Sequence, residues 1–172
     1  HLDHCGALPL LVKNGYSGEI HSTRYTRKLA EVTLRDSGRI HEEDAKFAAK
    51  RGYSSHKPPL PLYTEQDAIA TVSRFREVAF RTQLDLGQGA TATFHPAGHI
   101  LGAAFIDLQI GGKRILFTGD VGRPEHPALV GPDVIPGGHC DALLTESTYG
   151  DRAHETPTEE FERIITETVQ RG

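Results

Sequence analysis

The chain has 172 residues and two cysteines, which is the length of one domain and too few cysteines for a disulfide framework. We expect Cys5 and Cys140 to be free thiols in a reducing compartment, which favours the cytoplasm, and we see neither a signal-type leader nor an apolar run of the ~20 residues that span a membrane. The formal net charge of -4 is opposite to the basic balance typical of nucleic-acid-binding proteins.

The first half of the chain is predicted to be mainly helical. N-caps, stop residues and a 3.6-residue apolar period predict four helices: 7–13, Ser22 or Thr23 to Ser37-Gly38, 42–51, and 64 to about Phe75. Thr64 and Asp67 have the spacing of a capping box, and Gly52 has the position of a C-terminal stop. A surface loop rich in Ser, Lys and Pro is expected over 53–61.

Strands are predicted mainly in the second half, where apolar and polar residues alternate. The predicted strands are 18–21, 78–80, 91–94, 104–110, 113–118 and 142–144. Gly111-Gly112 predicts a tight hairpin, and the last strand is expected to be buried and to end at Glu146. A final helix over 156–171 carries one apolar face. The alternation of helices and strands predicts an α/β fold, with a domain boundary near Gly150.

Three residues of metal-binding type lie within the first four positions: His1, Asp3 and His4. Imidazole and carboxylate groups are ligands that zinc takes in proteins. In an isolated HxDH sequence, a polar loop whose histidines cap backbone groups is an equal alternative.

Two further candidates lie beside glycines at predicted strand ends. His99 is flanked by small residues that let a backbone approach a ligand closely, and Asp120 follows Gly119 at the end of a strand. A Gly-Asp pair after a strand is by itself more typical of a turn. Because all the clusters fall at strand edges or in loops, and a lone carboxylate among histidines can bridge two metals, together they predict a two-metal hydrolase site.

Several segments resemble the motifs of the metallo-β-lactamase superfamily. HLDHCG resembles the end of H-x-H-x-D-H, with the first His two positions before His1, while AGHILGA resembles the third motif and FTGD the fourth. ESTYG resembles the entry to the β-CASP group of nucleases. That stretch and LRDSGRIHEEDA are similar to RNA-processing members, the bacterial and archaeal relatives of the cleavage-and-polyadenylation endonuclease. The chain has no Met and starts inside a motif, so we interpret it as a fragment.

This resemblance implies a metallo-β-lactamase αββα sandwich over 1–150 and the start of a β-CASP domain over 151–172. Glu146 would match the first β-CASP motif. It is expected not to bind metal but to hold a His from beyond the chain's end in its charged form, so that this His can protonate a leaving group. The alternative is that Glu146 caps the Ser147-Thr148 turn or the following helix.

The resemblance also implies two zinc ions that share Asp120 as a bridge. Their remaining ligands form two sets: the preceding His, His1 and His99 for one ion, and Asp3, His4 and a His beyond Gly172 for the other. Asp3 is also expected to accept a proton or a hydrogen bond from the attacking water. Two Zn²⁺ would offset the net charge of -4 where a phosphate would sit. Because each ion would lack one ligand, residues 1–172 alone are expected to be nearly inactive.

The function implied is zinc-dependent hydrolysis of phosphodiester bonds in RNA, expected to be single-stranded, in RNA processing or decay. DNA is the nearest alternative substrate. Two alternative functions are hydrolysis of a thioester or lactam by an enzyme of the same fold, and an inactive scaffold subunit. Inactive relatives have degraded ligands, whereas every ligand that this segment could contain is present. We expect no membrane partner, and we leave a homodimer open as the assembly.

The other histidines carry weaker signals. His95 is a candidate for contacting the substrate or supporting a ligand, because it lies four residues before His99. His139-Cys140 has no second pair at zinc spacing. The remaining histidines have no partner cluster and are not expected to bind metal: His21, His41, His56, His126 and His154.

Overall fold

The computed structural model describes residues 1–125, 129–135, 137–152 and 159–171, and they form the predicted mixture of helices and strands. The helices are α1 (Leu2–Cys5), α2 (Leu8–Lys13), α3 (Arg24–Arg51), α4 (Glu65–Val72) and α5 (Glu159–Arg171). The strands are β1 (Ile20–Thr23), β2 (Phe75–Val78), β3 (Gln83–Gly87), β4 (Ala90–Pro96), β5 (Ala104–Ile110), β6 (Lys113–Phe117) and β7 (Ala142–Leu144).

The strands form two sheets. β1 and β2 pair in parallel, and a five-stranded sheet has the order β3-β4-β5-β6-β7. Its pairs are antiparallel except for β6 and β7, which run in parallel. The predicted Gly111-Gly112 hairpin joins β5 to β6. Strand β3 was not predicted, because its five residues include Asp85 and end at a glycine, a weak strand signal.

Helix α3 is longer than predicted. Thr23 caps it, as expected, but the helix continues through Ser37 and Gly38 to a left-handed stop at Gly52. Two predicted helices are therefore one. The cause is tertiary, since Ser37 and Gly38 are both buried. A Cβ at Gly38 would lie 2.7 Å from backbone atoms of Thr64, so the glycine lets α4 approach rather than ending the helix.

Helix α4 begins at the predicted capping box and ends earlier than predicted. Asp67 Oδ2 accepts the Thr64 N–H at 2.8 Å, and Thr64 Oγ1 accepts the Asp67 N–H at 3.1 Å. The hydrogen bond from the Thr64 backbone lowers the pKa of the Asp67 carboxyl. The helix ends at Val72 because Phe75 already belongs to β2, where it pairs with Ile20.

A hydrophobic core lies between α3, α4 and β2. Its buried members are Ala30, Leu34, Tyr63, Ala68, Val72 and Phe75. Leu34 is fully buried, which contributes roughly 2 kcal/mol to folding. Cys5, Leu8 and Ile20 pack against this cluster, so the core also anchors the N-terminal segment and β1.

Ion pairs tie the segment between β6 and β7 to the rest of the fold. Arg81 donates to both carboxylate oxygens of Asp133 at 2.7 and 2.6 Å, and the Asp133 N–H donates to the Pro96 carbonyl at 2.9 Å. Lys113 donates to Asp141 at 2.7 Å. This segment is therefore held at several points although it contains no regular secondary structure among its described residues.

The C-terminal elements carry exposed apolar side chains. Leu143 and Leu144 of β7 are 53% and 51% exposed, so the expectation of a buried strand is wrong for this structure. Among the described residues β7 pairs with β6 alone, and Leu143 and Leu144, which point to opposite faces of the sheet, are only partly covered on either face. The apolar face of α5 is exposed as well, and its predicted start at 156 falls outside the described residues. Within the described ranges, no helix has the length and apolar character needed to cross a membrane.

Candidate metal centre

Helix α1 sets the spacing of the first two histidines. His1 is its N-cap residue, and the His4 N–H donates to the His1 carbonyl at 3.2 Å. The Cys5 thiol donates to the same carbonyl at 3.1 Å, and burial raises the pKa of this thiol. The two imidazole centroids lie 4.7 Å apart. A short helix, anchored through Cys5 to the core, therefore presents both rings on one side.

His99 lies in the loop between β4 and β5, and helix α3 holds this loop in place. The Gly102 carbonyl accepts hydrogen bonds from Thr23 Oγ1 at 2.7 Å and Thr26 Oγ1 at 3.0 Å. Thr23 is also the N-cap of α3. The residue that starts the helix thus also fixes the loop that carries His99.

Asp120 follows β6 in a loop that packs directly against the His99 loop. The Gly122 N–H donates to the Ala97 carbonyl at 2.7 Å. A Cβ at Gly122 would lie 1.8 Å from the Gly98 carbonyl oxygen, so no other residue fits without moving one of the loops. This close approach brings Asp120 within reach of His99.

Three imidazoles converge on the Asp120 carboxylate. Its Oδ2 lies 2.5 Å from His1 Nε2 and 3.5 Å from His99 Nε2, and its Oδ1 lies 3.2 Å from His4 Nε2. One donor atom from each of His1, His99 and Asp120 lies within 4.8 Å of the other two. Imidazole nitrogen and carboxylate oxygen are typical zinc donors, so these residues fit a divalent ion of that kind.

Asp3 and Glu146 lie beside this cluster. Asp3 Oδ2 is 3.6 Å from His1 Nδ1, and the Asp3 side chain is 86% exposed. Glu146 Oε1 accepts the Val121 N–H at 2.8 Å, so it holds the residue that follows Asp120. The sequence did not predict this last contact, because it joins residues 25 positions apart.

A cavity of about 240 Å³ opens next to the cluster. The four clustered side chains line one part of it, and apolar residues such as Leu8, Phe94 and Ile106 line another. His21 also lines the cavity, and its Nδ1 is buried with no hydrogen-bond partner among the described residues. His21 was not predicted to lie here, because β1 reaches the cavity only through tertiary packing.

The structure places His95, His41 and His56 away from this centre. His95 stacks on Phe105 at 4.8 Å with Nδ1 3.7 Å from Asp133, whereas its neighbour Phe94 lines the cavity. The alternation of β4 therefore directs His95 to the opposite face of the sheet. In the described part of the chain, the metal-type cluster does not include His139 or Cys140. His41 and His56 line a separate cleft, and His126 and His154 lie outside the described residues.

The chain is similar over its whole length to proteins named as a ribonuclease, a cleavage and polyadenylation factor and a transcription termination factor. No family model matches it. Ribonuclease TTHA0252 of Thermus thermophilus is 33% identical over 175 residues, which cover 100% of this chain and 36% of the relative. Cleavage and polyadenylation specificity factor 73 of Drosophila melanogaster is 34% identical over 100% of this chain and 24% of the relative. Transcription termination factor FttA of Methanocaldococcus jannaschii is 31% identical over 100% of this chain and 26% of the relative.

An α/β fold with histidines and a carboxylate gathered at its loops is typical of metal-dependent hydrolases. Over its whole length the chain is similar to these proteins, in agreement with the resemblance of its motifs to the β-CASP nucleases of the metallo-β-lactamase superfamily. It spans 20% of the endoribonuclease YSH1 of Gibberella zeae and 36% of the Thermus ribonuclease, so it matches one part of longer proteins.

Proposed function

We propose that this chain carries the hydrolytic centre of a zinc-dependent ribonuclease that cleaves single-stranded RNA in RNA processing or decay. The observation that carries the proposal is the convergence of His1, His4 and His99 on Asp120 beside an open cavity. Relatives whose names are ribonuclease and endoribonuclease support RNA as the substrate.

Two zinc ions are proposed to share Asp120. The ligands in this chain would be His1 and His99 for one ion and Asp3 and His4 for the other, and the resemblance adds one His before His1 and one beyond Gly172. When bound, the ions supply Lewis-acid charge that polarises a phosphate and makes water more acidic. The contacts of Asp120 with all three imidazoles support its role in setting their relative positions.

Two carboxylates are proposed to move or steer protons. Asp3 would accept a proton from the attacking water, and its exposed position beside His1 supports this role. Glu146 would hold an imidazole of the β-CASP domain in its charged form, so that this imidazole can protonate the leaving oxygen. The contact with Val121 uses Oε1, and the imidazole would bind Oε2.

The proposed architecture is an αββα sandwich over 1–150, followed by the start of a β-CASP domain over 151–172. Support comes from the cavity, which is lined by both sheets: Ile20 and Phe75 from the small sheet, and Phe94 and Ile106 from the large one. We also propose a cytoplasmic location, on the basis of the free thiols Cys5 and Cys140. A homodimer is an open hypothesis that light scattering would test.

The test uses the full-length protein with zinc and end-labelled single-stranded RNA and DNA of one sequence. We expect cleavage of the RNA, loss of cleavage on chelation, and cleavage slower by ~10² or more in Asp120→Asn purified in the same way. Cleavage of DNA alone would transfer the proposal to DNA. Hydrolysis of a thioester or lactam with both nucleic acids intact would favour a small-molecule hydrolase, and inactivity on every substrate would favour a scaffold subunit.

A further inference from the structure

Four cationic residues lie at or shortly after the C-terminal end of α3. They fall within residues 45–62, which contain no Asp or Glu but directly follow Glu42, Glu43 and Asp44. The four are Lys46, Lys50, Arg51 and Lys57, and all are exposed. By contrast, Arg35 and Arg39 of the same helix are paired with carboxylates. Cations in the last turn stabilise a helix terminus, but this explains only Lys50 and Arg51.

Two exposed aromatic rings lie among these cations. Phe47 is 52% exposed and Tyr53 is 66% exposed, and their ring centroids are 6.2 Å apart. The Arg51 guanidinium carbon lies 5.4 Å from the Phe47 centroid. Three flat groups therefore lie next to one another on the surface, although aromatic side chains normally gain free energy by burial. We call these two rings and the four cations the α3-end patch.

A cleft of about 360 Å³ adjoins this patch. Tyr53 forms part of its wall, together with polar side chains and prolines. His41 and Asp44 also line it, and His41 Nδ1 is buried without a hydrogen-bond partner in the part of the chain that the structure describes. The Tyr53 ring offers a flat surface for the face of a nucleobase. The polar groups around the ring can bond to the donors and acceptors that an unpaired base presents at its edge.

We propose that the α3-end patch binds single-stranded RNA outside the metal centre. Its cations would contact phosphates, while Phe47, Tyr53 and Arg51 would stack on unpaired bases, the usual combination in single-strand binding. The cations would suit RNA and an acidic protein alike, and the adjacent exposed rings beside a polar cleft favour RNA, because unpaired bases stack on such rings. The inference rests on the proposed ribonuclease function, which supplies RNA as the substrate.

The geometry separates this patch from the catalytic cavity. Thr23 and Thr26, at the start of α3, line the cavity, and the patch lies at the end of this 28-residue helix. At 1.5 Å per residue the two are roughly 40 Å apart, which about 12 stacked nucleotides would span. Long RNA would therefore contact both sites, whereas a small phosphodiester would contact only the metal centre.

The test measures RNA binding by the full-length protein with Phe47→Ala and Tyr53→Ala combined. Fluorescence anisotropy with a labelled strand of ~20 nucleotides should show a Kd at least ~10-fold higher than for the parent, the scale of losing stacked bases. Binding of duplex RNA should change little, since paired bases cannot stack on the rings. The matched control, Phe47→Tyr with Tyr53→Phe, keeps both rings and should bind as the parent does.

A second variant keeps the test decisive if the alanine variant does not fold. Lys46→Gln combined with Lys57→Gln should weaken RNA binding. The slope of log K against the logarithm of the salt concentration should become shallower by ~1.4, that is ~0.7 for each phosphate no longer neutralised. Unchanged RNA affinity in the folded variants would overturn the inference. So would equal losses in RNA binding and in hydrolysis of bis(p-nitrophenyl) phosphate, which reports the metal centre alone. A parent protein that binds RNA at this patch but hydrolyses neither substrate would contradict the ribonuclease proposal instead.

Discussion

At the scale of single residues, Asp120 holds the centre together by its charge as well as by its position. Asp120→Asn keeps the size of the side chain but removes the charge that faces three imidazoles. We expect kcat/KM for RNA to fall by ~10² or more, the scale of losing one positioned electrostatic interaction. Asp36→Asn is the matched control, because Asp36 is an exposed residue of α3 that pairs with Arg39. Equal activity of both variants would contradict this role for Asp120.

Glu146 has a structural contact and a proposed catalytic one, and substitution can separate them. In Glu146→Gln the amide oxygen can still accept the Val121 N–H, while the charge is lost. We expect turnover to fall by ~10² with the metal content unchanged, as for loss of assisted acid catalysis. Glu146→Ala also removes the acceptor of the Val121 N–H. Normal turnover in Glu146→Gln would show that Glu146 only accepts the hydrogen bond from Val121 and takes no part in proton transfer.

At the scale of elements, the two loops of the centre depend on a glycine contact. The Cβ of Gly122→Ala would meet the Gly98 carbonyl oxygen, so the Asp120 loop must move away from the His99 loop. We expect the free energy of unfolding to fall by about 1–3 kcal/mol, the usual cost of overpacking, as measured by urea denaturation. Gly137→Ala is the control, because nothing lies within 4 Å of the position that its methyl group would take. Similar stability of both variants would disprove the close contact.

The ion pair between Arg81 and Asp133 should make stability depend on pH. Hydrogen bonds from Arg81 hold the pKa of the Asp133 carboxyl below its ordinary value of 3.8. Because the folded pKa is the lower one, the stabilisation is present above the unfolded pKa and disappears as pH falls through the folded value. The difference in unfolding free energy between the parent and Asp133→Asn should thus be constant above about pH 5 and shrink below about pH 4.

The matched control for this prediction is Arg81→Gln, which removes the charged donor that is the largest cause of the lowered Asp133 pKa. In that background, Asp133→Asn should show a much weaker pH dependence. Urea denaturation at several pH values measures both comparisons. A stability difference that grows as the solution becomes more acidic would contradict the prediction that the stabilisation by charged Asp133 is lost at low pH.

At the scale of the whole molecule, metal content tests the proposed centre directly. We expect two zinc ions per full-length chain by elemental mass spectrometry, and a lower Tm after chelation. Free zinc at ~100 times its Kd would stabilise the folded protein by about 2.7 kcal/mol per site, because the metal binds the folded state. One equivalent of zinc or none in the intact protein would contradict the two-ion proposal.

Local signals in the sequence were sufficient for several parts of the fold. The α/β class, the Thr64 cap and the Gly111-Gly112 hairpin are confirmed, since each depends on residues close together in the chain. The motifs also predicted the similarity to β-CASP nucleases and the residue types that gather in the centre. The assignment of Asp3 and Glu146 to catalytic roles stays a prediction.

Other features were decided only by contacts between distant segments. Ser37-Gly38 resembles a helix stop, yet α3 continues because α4 packs against it there. Phe75 joins β2 because β1 supplies its pairing partner. In the centre, His1 meets Asp120 across 119 positions of the chain, and a glycine contact between two loops brings Asp120 near His99. Periodicity and motif spacing describe neighbours along the chain, so the sequence determined which groups were available, and tertiary packing decided which of them meet.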